Sequence, residues 1–188
     1  MNEDIYKKLE IEIKRRCKSS NNTSGYGAWT HHIKSVVEIG SKLAKEYNAD
    51  VEIVRIAALL HDVASITKEE YKENHHIYGA QIAEELLENL NYPKEKIEKI
   101  KQCILNHRGS ILKEKNTNEE ICLADADAMA HFDNLPSMFS LVYRERKLSV
   151  KKGENFVKNK LKRSYNKLSL RGKKIYKENY ENIMKIFK

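Results

Sequence analysis

Residues 56–60 read Ile56-Ala57-Ala58-Leu59-Leu60, an unbroken apolar run that leads directly into His61-Asp62. A helix that is apolar on every side has no face to offer water, so the run predicts a central, buried helix over about residues 51–63. The His-Asp pair then lies at the inner end of that helix. A carboxylate in such a place is costly unless something positive compensates it. Taken alone, the pair reads equally as a buried hydrogen bond without chemistry or as part of a site.

Apolar residues recur at helical spacing on both sides of this segment. Ile5, Leu9 and Ile13 share one face of a helix over 4–16, and the Asn/Ser/Gly-rich stretch 19–27 is a loop. Thr30 is a candidate cap for a helix carrying Ile33, Val36, Val37, Ile39 and Leu43 toward Tyr47. Asn48-Ala49-Asp50 reads as a turn and cap, 75–90 as a helix, and Asn91-Tyr92-Pro93 as a stop followed by a new start. The next helix covers 94–107, with Gly109 where a C-terminal cap belongs, and 113–119 is a polar loop. Helices over 121–132 and 136–143 follow, and the basic tail forms two more. Two prolines and seven glycines are too few for an all-β fold. The class is all-α.

At 188 residues and 40% apolar, the chain suits one globular domain with a short appendage. The net charge of +8 is unevenly placed, because residues 144–188 hold 16 Lys/Arg against 4 Asp/Glu. We therefore expect a helical domain over 1–143 and a basic helical extension over 144–188, packed on or near it. Such an extension can meet nucleic acid or another polyanion, although a solvated helical surface is the simpler reading. No stretch reaches the roughly 18 apolar residues of a membrane span. The acidic, amphipathic start is not that of a signal peptide, and Cys17, Cys103 and Cys122 are odd in number and widely spaced. A cytoplasmic protein with reduced thiols is expected.

Asp125 and Asp127 interrupt a segment that is otherwise small and apolar, from Ile121 to Ala130. Acids so placed call for a cation or a strong donor. Two residues apart on a helix, they point in different directions, so one of them is expected to reach any given metal. His31-His32 adds imidazoles at the start of a helix lined with branched apolar residues. A His, a His-Asp pair and an Asp together make a mixed nitrogen and carboxylate shell. That shell suits a divalent Mn, Fe, Co, Zn or Mg ion better than a thiolate zinc site.

In this order and spacing the residues resemble the HD phosphohydrolase superfamily. His32 matches its first His, with Val36 and Leu43-Ala44 following. Ala57-Ala58-Leu59-Leu60-His61-Asp62 matches its "AALLHD" run, and Ala126-Asp127-Ala128-Met129 is similar to its later Asp step. The resemblance covers about residues 28–135. It implies an HD-domain-like helical bundle, with a metal held by His32, His61, Asp62 and Asp127 in preference to Asp125. His75 in His75-His76-Ile77-Tyr78-Gly79-Ala80 and His107 after Asn106 match the ligands of members with two metals, where Asp62 would bridge. One ion or two is left open.

The implied reaction is hydrolysis of a phosphoester or phosphoanhydride by a metal-activated water, which Asp62 also helps to hold. Arg108 is the first candidate for neutralising phosphoryl charge, and His76, Lys68 and His131 are weaker ones. The implied substrate is a small phosphorylated molecule, a nucleotide by preference. Tyr26, Trp29 and Phe132 flank the ligands and can stack on a base, though core packing is the simpler reading. His107-Arg108-Gly109-Ser110 departs from the cyclic-dinucleotide phosphodiesterases of the superfamily. Two other readings stay open: a di-iron oxygenase on the same fold, and a non-catalytic module binding nucleotide or nucleic acid.

Overall fold

In the computed structural model, which describes residues 3–108 and 115–187, every regular element is helical. In chain order these are α1 (Glu3–Lys18), a π-helical turn (Trp29–Ile33), α2 (Lys34–Glu46), α3 (Val51–Leu60) and a 3-10 turn (Glu69–Tyr71). Then come α4 (His75–Glu88), α5 (Lys94–Asn106), α6 (Asn118–Asp133), α7 (Leu135–Ser140), a second π-helical turn (Leu141–Glu145), α8 (Val150–Lys167) and α9 (Leu170–Met184). Among the described residues the fold is all-α. No described helix is long and apolar enough to cross a membrane.

The local signals act as their chemistry requires. Asp50 caps α3 by accepting from the N–H groups of Glu52 and Ile53, and Thr117 caps α6 through Glu120 N–H. Asn48 and Asn91 adopt left-handed backbone, φ 54° and 53°. Just beyond each, an N–H reaches back five residues, Ala49 to Ala44 and Tyr92 to Leu87, closing the ends of α2 and α4. Thr30 does not cap α2. The helix starts earlier, so Thr30 lies inside the π-helical turn and its end is reached from Ala28 without a side-chain cap. The buried helix stops at Leu60 instead of running to 63, because residues 61–67 tighten into successive turns, starting with Val63 N–H donating to Leu60 C=O. Gly109 lies outside the described residues.

α3 and α6 form the centre. Ile53, Ile56, Leu59 and Leu60 are at most 1% exposed, and burial of each side chain contributes about 1.5–3 kcal/mol. α2 crosses both central helices at Gly40. A β-carbon there would lie 3.2 Å from Val54 Cγ1, 3.5 Å from Ala126 Cβ and 3.8 Å from Ala58 Cβ. Only small residues allow three backbones to approach this closely. A second close contact occurs at Gly79 on α4, which packs on the carbonyl of His61 and on Ile104 of α5. The C-terminal helices build a smaller core from Phe132, Met138, Val142, Val157, Leu161 and Phe187, while Leu168 joins the main one.

Candidate metal centre

The two glycine contacts decide where the imidazoles meet. Gly40, Ala58 and Ala126 sit close to His32, His61 and Asp127 along the chain, so packing α2, α3 and α6 tightly brings those side chains together. The Nε2 atoms of His32 and His61 are 3.2 Å apart, and His32 Nε2 lies 3.2 Å from Asp127 Oδ1. Asp62 Oδ2 completes the group, 3.5 Å from His32 Nε2 and 3.4 Å from His61 Nε2. The contact at Gly79 brings His75, one turn earlier on α4, toward the end of α5. There His75 Nε2 and His107 Nε2 are 3.3 Å apart, and Asp62 Oδ1 is 3.8 Å from His75. Asp62 thus offers one oxygen to each group.

The donor chemistry fits cations. His61, His75 and His107 bond through Nδ1 to the carbonyls of Ala58, Lys72 and Ile104, at 2.8, 2.8 and 2.6 Å. A carbonyl can only accept, so each Nδ1 carries a proton, and in the neutral ring each Nε2 presents a lone pair. Lone pairs facing one another at such distances, beside carboxylate oxygens, repel unless positive charge lies between them. The acids of the cluster favour positive charge at the same place. Burial by itself would lower His61, yet Asp62 and Asp127 outweigh it and raise the group to about 8. His107 is pushed down to about 3 by burial and by His61, and so stays neutral. Asp127 is held well below the usual carboxylate range despite burial, first by Lys167, whose ammonium pairs with Asp127 Oδ2, and then by His32. Two sets of ligand atoms are close enough to hold an ion each: His32, His61 and Asp127, and Asp62, His75 and His107.

Asp125 points elsewhere. It accepts from Ser169 N–H at 2.8 Å, from the Ser169 hydroxyl at 2.5 Å and from the Tyr47 hydroxyl at 3.3 Å. Its work is to fasten the start of α9 to α6. Asn106 donates to buried Glu120 at 2.7 Å, which fixes the end of α5 from which His107 projects.

His32, Asp62, His75, His107 and Asp127 line a cavity of about 630 Å³, and His61 lies fully buried beneath them. His131, Lys72, Lys160 and Arg146 also line it, whereas Arg108 and His76 do not. Arg108 follows His107 where the chain leaves α5, and its guanidinium turns to the carbonyl of Glu73. His76 is buried behind His75, with the rings 5.9 Å apart. Lys68 is exposed, its ammonium 5.4 Å from the Tyr71 ring centre. Of the three aromatic candidates, Trp29 and Phe132 are core residues. Tyr26 is exposed and lines a neighbouring cavity of about 700 Å³ that shares His32, Leu141 and Glu145 with the first. Lys160 and Lys167 are absent from the sequence-derived candidates. Charge runs look alike whether they face solvent or a site, and the one available signal is their spacing of seven residues around the apolar stripe of α8.

The chain is similar to known proteins in sequence and in fold. The family model of the HD domain matches residues 29–131. An uncharacterized protein of Clostridium beijerinckii is 32% identical over 83 residues, 42% of this chain and 53% of that protein. Ribonuclease Y of Rubrobacter xylanophilus is 30% identical over 99 residues, 53% of this chain and 17% of that protein. The chain therefore spans about half the length of one curated relative and a sixth of the other. In fold it is similar to Bacillus subtilis YpgQ, with a TM-score of 0.68 at 16% identity over 96% of this chain and 92% of that one. It is also similar to a predicted HD superfamily hydrolase from an uncultured Thermotogales bacterium, with a TM-score of 0.55 at 21% identity over 82% and 83% of the two chains. Because the family match runs through more than half of the sequence, from the turn that bears His32 to His131 on α6, this chain belongs to the HD-domain family.

Proposed function

We propose that the protein is a metal-dependent phosphohydrolase acting on a nucleotide or a comparable small phosphorylated molecule. The observation that carries this reading is the convergence of four imidazole Nε2 atoms and two carboxylates beside one cavity that is also lined by lysines. His32, His61, Asp62 and Asp127 would hold one divalent ion. His75 and His107, with Asp62 between the two groups, would hold a second. A divalent ion in such a shell supplies Lewis acidity and a water-derived nucleophile at neutral pH.

The chain's own residues supply the rest. Three fixed Nδ1–H donors keep the imidazoles oriented without reorganisation. Lys167 braces Asp127 from behind, so that one carboxylate oxygen is left to face the cavity. His131 is kept neutral by burial and by nearby Lys160, with Nδ1 3.4 Å from the Ser164 hydroxyl. It offers the substrate a hydrogen bond without adding charge. Support for a nucleotide comes from the fold neighbour YpgQ, which has been solved in complex with ADP and has a TM-score of 0.65 to this chain. The exposed Tyr26 beside the cavity suits a base.

Two ligand groups sharing a carboxylate also suit a di-iron oxygenase, and this reading is separable by experiment. The protein as isolated is analysed for metal, then assayed for phosphate release across a nucleotide panel with added Mn. Release that disappears in Asp127→Asn and His32→Gln is expected. Oxygen uptake by an iron-loaded protein that releases no phosphate would overturn the proposal.

A further inference from the structure

α8 carries Lys160, Ser164 and Lys167 four and then three residues apart, which puts them on one stripe of the helix. The stripe faces α6, where Asp127 and His131 are themselves one turn apart. Two of its members are satisfied there. Lys167 pairs with Asp127, and the Ser164 hydroxyl lies beside His131. Lys160 is partly buried, lines the same cavity as His32, Asp62 and Asp127, and makes no ion pair or hydrogen bond among the described residues.

An ammonium withdrawn from water without a partner is costly, and folds keep such groups where a ligand completes them. Burial pulls Lys160 below its ordinary value, although Asp127 pulls it back. Other cations around the cavity are accounted for differently. Lys72 is committed to Glu69 at 2.7 Å and to Thr23. Arg146 lines the cavity from an exposed position, over the Phe156 ring, and makes no ion pair among the described residues. Of the cavity's other acids, Glu69 pairs with Lys72 and Glu145 lies 3.9 Å from Arg144, so among the described residues no carboxylate is paired with Lys160 or Arg146.

We propose that Lys160, supported by Arg146, binds a second phosphate of the ligand, separate from the one at the His/Asp cluster. The ligand class is then a di- or triphosphate or another phosphoanhydride, not a simple monoester. The word substrate for this ligand rests on the phosphohydrolase reading, whereas the anion site itself does not.

The test uses the full chain loaded with Mn, with inorganic orthophosphate and pyrophosphate as probes in calorimetric titrations of wild type, Lys160→Met and Lys160→Arg. Wild type is expected to bind pyrophosphate more tightly than orthophosphate by about tenfold or more, and Lys160→Met to lose most of that margin, as truncating one half of a buried charge pair does. Lys160→Arg restores most of it. Metal content after titration stays equal in all three. In anion-free buffer Lys160→Met melts no lower than wild type, because a partnerless charge has gone; a lysine kept only for structure would lower the melting temperature. A pyrophosphate margin that survives Lys160→Met, or a wild type with no margin, overturns the proposal. Lys160-dependent pyrophosphate binding in a protein that hydrolyses no nucleotide would sink the hydrolase reading and leave the site standing. Turnover with Lys160-insensitive binding would do the reverse.

Discussion

Asp125 and Asp127 are two residues apart on one helix and nearly indistinguishable in sequence, yet their replacements should fail in opposite ways. Asp125 is 1% exposed and accepts three hydrogen bonds, two from Ser169 at the start of α9 and one from the buried Tyr47. Asp125→Ala strands those donors, and each buried, unpaired group costs about 1–3 kcal/mol. Ser169 can turn partly to water, so the sum falls to roughly 2–5 kcal/mol. For a chain of this size about 1 kcal/mol shifts Tm by ~2–4 °C, which gives a drop of roughly 4–20 °C. Asp125→Asn keeps an acceptor for Ser169 and should lose about half as much. Metal content is expected to be unchanged in both, since Asp125 faces away from the ligand cluster. Asp127→Asn should instead lose metal, because its Oδ1 faces His32 and His61. Thermal unfolding and elemental analysis of the same preparations decide the matter. An Asp125→Ala protein that keeps its Tm but sheds its metal would refute the assignment of the two acids.

Three further outcomes follow from the same geometry. Adding Mn to chelator-treated protein at a hundred times its Kd should stabilise the fold by about 2.7 kcal/mol, seen as a rise in Tm that Asp127→Asn abolishes. Gly40→Leu has no room against Val54, Ala58 and Ala126, so it should cost about 1–3 kcal/mol or more in urea unfolding and weaken metal binding together; unchanged metal affinity would mean that the helix crossing does not set the ligands. Glu12 is lowered to about 2, first by the hydrogen bond from Arg15 against the effect of burial, then by Arg16, which also reaches Thr67. Its folded value lies below the unfolded one, so the stability it adds is present above about 4.5 and is lost as pH falls toward 2. Glu12→Gln should flatten that part of the urea-midpoint profile and leave the neutral range nearly parallel to wild type.

What the sequence determined by itself was most of what depends on periodicity and local chemistry, the cap expected at Thr30 and the run of the buried helix to 63 being the exceptions. The all-round apolar run pointed to a central helix, and Asp50, Asn48 and Asn91 to caps or turns, because short polar side chains favour those backbone positions. The candidates His32, His61, Asp62 and the Asp125/Asp127 pair were legible because histidines and acids stand out against apolar helix faces, whereas His75, His107 and the preference for Asp127 came from the resemblance to the HD superfamily. Tertiary structure decided the rest, since direction in space is not written in spacing along a chain. It turned Asp125 toward Ser169 and Asp127 toward His32, although both interrupt the same apolar segment. It carried Arg108, adjacent to a ligand, away to Glu73, and brought Lys167, forty residues beyond Asp127, into contact with it. A side chain's neighbour in sequence fixes its distance from the ligand along the backbone; only the crossing of α6 and α8 fixes which charge meets which.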